Sequence, residues 1–167
     1  TAGEVEKTTL EGVDLVGNAG VGAFTGRMAM GSSLTESSAS GIVNDTFSLG
    51  NTGGLVGVGR GTITRSFSTV DVNSGNNAGG IVGFNNEGSI TDSYARGYVN
   101  GGGDVGGLAG VNRGTVVRSY ATGSVSGSAT VLGGLIGDSE RGGTVTDSYW
   151  DVPASGKTVS AGGVVRA

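Results

Sequence analysis

Short apolar runs alternate with polar stretches along the chain, and the alternation returns at a nearly fixed distance. "GGLVG" at Gly53–Gly57 recurs as "GGIVG" from Gly79, "GGLAG" from Gly106 and "GGLIG" from Gly133, at spacings of 26, 27 and 27 residues. A second block, "GTITRSFST" from Gly61, recurs as "GSITDSYAR" from Gly88, "GTVVRSYAT" from Gly114 and "GTVTDSYWD" from Gly143. A third, shorter piece carries one valine, at Val72, Val99, Val125 and Val152. Stretches this short, rich in Val, Ile, Thr and Tyr and bounded by glycine, predict strands. Their recurrence predicts a repeat architecture.

The fold expected is all-β: a right-handed parallel β-solenoid with 26–27 residues and three short strands per coil. Coils stacked at about 4.8 Å pair every interior backbone group and turn equivalent positions into columns. Leu55, Ile81, Leu108 and Leu135 form one inward column, and Ile63, Ile90, Val116 and Val145 another. Glycine is assigned to the corners, for positive φ or close backbone approach. A propeller blade needs about 40–45 residues, so this period is too short for one. The whole of 1–167 reads as one solenoid domain, with an atypical capping coil at 1–26 and an insert at 27–40. Regular coils then fill 41–161, and 162–167 begin a further, truncated coil. The opening "TAGEVEK" reads as a mature end or an excised fragment, with no signal peptide.

Composition narrows the chemistry. Thirty-seven glycines and one proline, without a G-X-Y period, exclude collagen. A hydrophobic content of 35% and a net charge of −4 argue against disorder. The chain has no cysteine and no histidine, so it can build neither a disulfide, a zinc-thiolate site nor a Ser-His-Asp triad. Mild acidity without a Lys/Arg cluster argues against nucleic acid, and no apolar run is long enough for a membrane-spanning helix.

Four sets of stacked positions follow from the repeat. Asp45, Arg65, Asp92, Arg118 and Asp147 alternate in sign and read as a charge ladder that holds register. Arg60, Glu87, Arg113 and Glu140 alternate as well, with a one-residue wobble. Phe47, Phe67, Tyr94, Tyr120 and Tyr149, with Trp150 beside the last, form an aromatic column whose direction the pattern leaves open. Thr62, Thr64, Ser89, Thr91, Thr115, Thr144 and Thr146 form T-x-T ranks on a flat wet face, interrupted by Val117 and by the shorter Ser89. Some ice-binding proteins use such an array, although threonine also suits any solvated strand.

Other motifs carry less. "SGKTVS" at Ser155–Ser160 has Asp151 where a P-loop needs its first glycine. "GGGDVGG" around Asp104 lacks the calcium nonapeptide pattern. Asp138 and Glu140 are the acid pair to test for glycoside cleavage, but stacked acids alternating with arginines argue against it. "NDT" at Asn44–Thr46 is a glycosylation sequon, meaningful only in a eukaryotic secretory context.

The run "GGLAGVNRGTVVRSYATGSVSG", Gly106–Gly127, resembles the GLUG repeat, and four good copies with two partial ones cover nearly the whole chain. The resemblance implies a secreted or surface-anchored bacterial protein, such as a filamentous-haemagglutinin-like adhesin or the non-catalytic region of an IgA-peptidase-type protein. It carries over no catalytic residue, and no cofactor or metal is expected. At the position before Ser-Tyr, the repeat implies Asn where this chain has Arg or Asp. The function expected is a non-enzymatic adhesin or rigid spacer stalk at the bacterial cell surface. Its partners would be a protein or glycan on a host cell, matrix or neighbouring cell, or further domains of the same chain, with no membrane insertion. The alternatives are an ice- or carbohydrate-binding face and a fragment of a β-helix polysaccharide-active enzyme.

Overall fold

The computed structural model describes residues 2–46, 49–128 and 131–166. Every sheet is parallel, and the sheets stack into a β-solenoid of about 5 turns. Sheet 1 holds the T-x-T strands in the order Ser33–Thr35, Thr62–Thr64, Ser89–Thr91, Thr115–Val117, Thr144–Thr146, with the acidic strand Glu4–Glu6 beside Ser33–Thr35 at its edge. Sheet 2 follows the corner and carries the aromatic positions, with Thr9–Gly17, Ser38–Asp45 and Phe67–Ser74 as its long strands. Sheet 3 contains Asn51–Gly53, Asn77–Gly79, Val105–Gly106 and Leu132–Gly133. Sheet 4 contains Thr25–Met28, Val56–Gly59, Val82–Asn85, Ala109–Asn112 and Ile136–Ser139. The three extended pieces read from the sequence therefore serve four sheets. The "GGLVG" block bends behind its first glycine, which ends sheet 3, while its later residues enter sheet 4.

The core is the pair of aliphatic columns. Leu55, Ile81, Leu108 and Leu135 are fully buried, and Leu34 joins Ile63, Ile90 and Val116 in the second column. Each such side chain contributes on the order of 1.5–3 kcal/mol of burial, available only when a neighbouring coil covers it. Block glycines answer close approach. A Cβ on Gly110 would stand 2.6 Å from the carbonyl oxygen of Gly83, on the neighbouring strand of sheet 4, and 2.8 Å from that of Asp104, which leads into sheet 3. Positive φ at the sheet 1–sheet 2 corner falls elsewhere, on Lys7, Glu36, Arg65, Asp92, Arg118 and Asp147 at 44–51°.

Register corrects the reading at both ends. Arg27–Ser40 is no insert: Thr25–Met28 pairs with Val56–Gly59, Ser33–Thr35 with Thr62–Thr64, and Ser38–Asp45 with Phe67–Ser74. This segment is a full coil whose Leu34 stacks on Ile63. Bonds between equivalent corner residues give coil lengths of 29, 29, 27, 26 and 29, so 26–27 holds only in the middle. At the other end, Val152 leaves the valine column and opens a one-turn helix, Val152–Ser155. Asp151 caps it through the Ala154 N–H at 2.8 Å, and Gly156 closes it at φ 67°. Val164–Arg166, expected to begin another coil, instead pairs with Tyr149–Asp151 in sheet 2.

Candidate functional site: the displayed columns

The chain turns out of sheet 1 through a single left-handed residue, and that residue is charged in every coil. The column reads Lys7, Glu36, Arg65, Asp92, Arg118, Asp147, alternating in sign throughout. Arg65 Nε and a second guanidinium nitrogen donate to Glu36 at 3.0 and 2.7 Å. Arg118 grips both oxygens of Asp92 at 2.6 and 2.8 Å. These bonds hold the Asp92 carboxyl below the usual aspartate range and raise Arg118 further. Lys7 is raised by its bond to Glu6 and by the charges of Glu6 and Glu36. The alternation is therefore real, but its member in the second coil is Glu36 and not Asp45. Asp45 lies in register with Ser74, is 6% exposed, and accepts a bond from Thr52 at 3.1 Å.

One residue further on, a second column went unread in the sequence. Ser37, Ser66, Ser93, Ser119 and Ser148 are all buried. The Ser93 N–H donates to Ser119 Oγ at 3.2 Å, and the Ser119 N–H to Ser148 Oγ at 3.1 Å, with the same bond repeated from Thr8 to Ser66. Each hydroxyl then donates two residues back, as Ser119 does to the Val117 carbonyl at 2.9 Å. The only sequence signal was that serine follows the charge in each good copy.

The aromatic column faces outward, because Ser68, Ala95, Ala121 and Trp150 beside it are the buried partners. Phe67, Tyr94, Tyr120 and Tyr149 are half-buried and stack with centroids 4.9, 4.9 and 5.3 Å apart and planes within 7°. Arg96 lies 4.9 Å from the Tyr94 centroid and donates to the Tyr120 hydroxyl at 3.4 Å. Phe47 lies outside the described residues, and the register gives its expected place to Ser38. Because the rings cover one another's faces, the column offers edges and hydroxyls to solvent. A sugar platform needs open faces.

Sheet 1 brings Thr62, Thr64, Ser89, Thr91, Thr115, Thr144 and Thr146 onto one side, all exposed or half-exposed, and adds the rank Ser33 and Thr35. The other charged column is corrected by backbone bonds, which make Arg60, Asn86, Arg113 and Glu140 equivalent and leave Glu87 one residue past the column at φ 66°. Arg113 pairs with Glu140, with one bond of 2.7 Å, and its guanidinium carbon lies 4.8 Å from the Phe84 centroid.

Asp104, Asn77, Phe84, Arg113 and Glu140 line a shallow groove of about 210 Å³. Partial burial, then the charges of Asp138 and Glu140, push the Asp104 carboxyl up. Glu140 is tied to Arg113, and Asp138 accepts the Ser139 N–H at 2.9 Å, so this acid pair is held by its own surroundings. Among the described residues no three His, Cys, Asp or Glu side chains converge on a metal-sized point. Amide pairs also run along the axis, Asn85 to Asn112 at 2.8 Å, Asn77 to Asn51 at 3.0 Å and Asn73 to Asn44 at 3.1 Å. The last of these holds the sequon asparagine within a strand. Compared with protein-family models, curated proteins and solved structures, the chain matches none.

Proposed function

We propose that this chain is a non-catalytic rod segment of a secreted or surface-anchored bacterial protein, serving as an adhesin module or a stiff spacer stalk. One observation carries the reading: serines, amides, ion pairs and rings are each bonded or stacked to the equivalent residue of the next coil. Chemistry directed along the axis stiffens a rod, whereas a catalytic cleft requires groups converging on a point. The location and the adhesive role rest on the resemblance of Gly106–Gly127 to the GLUG repeat.

The test is single-molecule pulling on a tandem fusion, paired with glycan and matrix-protein arrays. The rod reading expects high-force unfolding in steps of about one coil. Extension at low force without steps would overturn it. Array binding assigns the adhesin role, and a blank array leaves the spacer.

A further inference from the structure

We propose that the outward face of sheet 1 binds ice, with the hydroxyls and methyls of its Ser/Thr ranks as the contact surface. This goes beyond the rod reading and does not depend on it. The ranks are Ser33/Thr35, Thr62/Thr64, Ser89/Thr91, Thr115/Val117 and Thr144/Thr146. Each pairs with the next residue for residue, without a bulge. The backbone thus sets a two-dimensional grid, about 4.8 Å along the axis and roughly 6.6 Å across each strand.

Three features make the grid suit a solid lattice rather than a dissolved ligand. First, its first four ranks are rigid: Leu34, Ile63, Ile90 and Val116 between the outward pairs are at most 2% exposed, Val145 in the last rank is half-buried, and threonine has few χ1 options. Second, its hydroxyls are available. Among the described residues, Thr35, Thr62, Thr64 and Thr146 make no side-chain bond within the chain, so their bonds go to water. The face-internal bonds are weak, Ser89 to Thr91 at 3.3 Å and Thr144 to Thr115 at 3.5 Å. Third, the five ranks carry no charge; the acidic pair Glu4/Glu6 stands only at the edge of the sheet, beside Ser33/Thr35, and the bordering ladder pairs Glu36 with Arg65 and Asp92 with Arg118.

Each hydroxyl contributes little alone, so only a partner repeating in two dimensions engages all of them together. Water bound over the grid is held in a fixed two-dimensional array at that spacing, which a solid water surface can continue and a dissolved ligand cannot. The methyls fill the gaps between pinned waters, and Val117 keeps a methyl while losing one hydroxyl.

The experiment is thermal hysteresis with ice-crystal shaping, using the intact chain. Wild type should shape ice and open a freezing–melting gap. Thr91→Tyr, at the centre of the face, should abolish both while its far-ultraviolet spectrum and melting midpoint stay unchanged. Thr69→Tyr, on sheet 2, should leave both intact. Val117→Thr should enlarge the gap, a gain that damaged folding does not produce. Folded wild type without hysteresis or shaping overturns the proposal. So does hysteresis that survives Thr91→Tyr, or adsorption to crystalline cellulose or chitin with no effect on ice.

Discussion

At the corner after each threonine strand, two adjacent columns run the length of the solenoid. Arg118 and its stacked partners stand in solvent, alternate in sign and join in ion pairs along the axis. Ser119 and its partners point inward, are identical in chemistry, and link coils through bonds sealed from water. The outer column gains modest Coulomb energy in high dielectric, and salt screens it. The inner column satisfies backbone groups that would otherwise be buried without partners, which is the larger effect. Opposite charges at neighbouring corners favour this order of coils over a slipped one, whereas the serines tie each coil to the next whatever its charge.

The largest break in that contrast comes from the inner column. Ser119→Ala removes the acceptor of the buried Ser93 N–H and the donor to the Val117 carbonyl. The expected loss is about 1–3 kcal/mol, read as a lower urea midpoint at unchanged slope. A loss no greater than that of an exposed Thr115→Ala control would show that water replaces the hydroxyl and would erase the distinction.

The corner backbone comes next. Asp147 holds φ 49°, a region that costs a side-chain-bearing residue about 1–2 kcal/mol and glycine almost nothing. Asp147→Gly should raise stability by about 1 kcal/mol in equilibrium unfolding, less what the more flexible unfolded chain regains. Asp147→Ala should bring no gain, because alanine meets the same strain. Equal effects of the two would mean that the charge and not the backbone decides this position.

Why one column was legible and its neighbour was not follows from chemistry. Opposite signs at equivalent positions stand out against a background of Gly, Ser and Thr, so Arg65, Asp92, Arg118 and Asp147 could be read directly. Ser93 looks like any polar residue near a turn, and only the left-handed residue before it turns its hydroxyl inward. The same blindness misplaced the second coil. Asp45-Thr46-Phe47 imitates the Asp-Ser-Tyr of later copies, while the true corner, Glu36-Ser37-Ser38, lacks the aromatic residue. Register was decided by Leu34 entering the core under Ile63, a burial requirement that motif matching does not weigh. The fold class was legible because glycine blocks and aliphatic columns recur, whatever the corners contain.

A smaller break comes from reversing one rung. Asp92→Lys places a third cation between Arg65 and Arg118, where wild type has a carboxylate bonded to Arg118. The midpoint should fall by less than for Ser119→Ala, and about 0.5 M salt should recover much of the loss, since the Debye length is then only a few ångströms. Salt-independent loss would place the damage in packing.

Acid titration gives the smallest effect and separates the ladder from the groove. Asp92 has its folded pKa lowered, chiefly by the bond from Arg118. Its contribution is therefore present above the unfolded aspartate value, about 3.9, and fades as pH falls through the lower folded value. Asp104 is shifted the other way by partial burial and by the charges of Asp138 and Glu140. Its contribution is full below the unfolded value and is lost as pH rises through the raised folded one. Asp92→Asn should thus lower stability at neutral pH and flatten the acid limb of the stability profile. Asp104→Asn should raise stability at neutral pH, with the advantage vanishing below about pH 4. Melting midpoints from pH 3 to 8 read both. An Asp92→Asn variant that loses no stability at neutral pH would mean that the outer column acts as solvated surface and not as a ladder. Specificity between coils would then rest on the serines and the core.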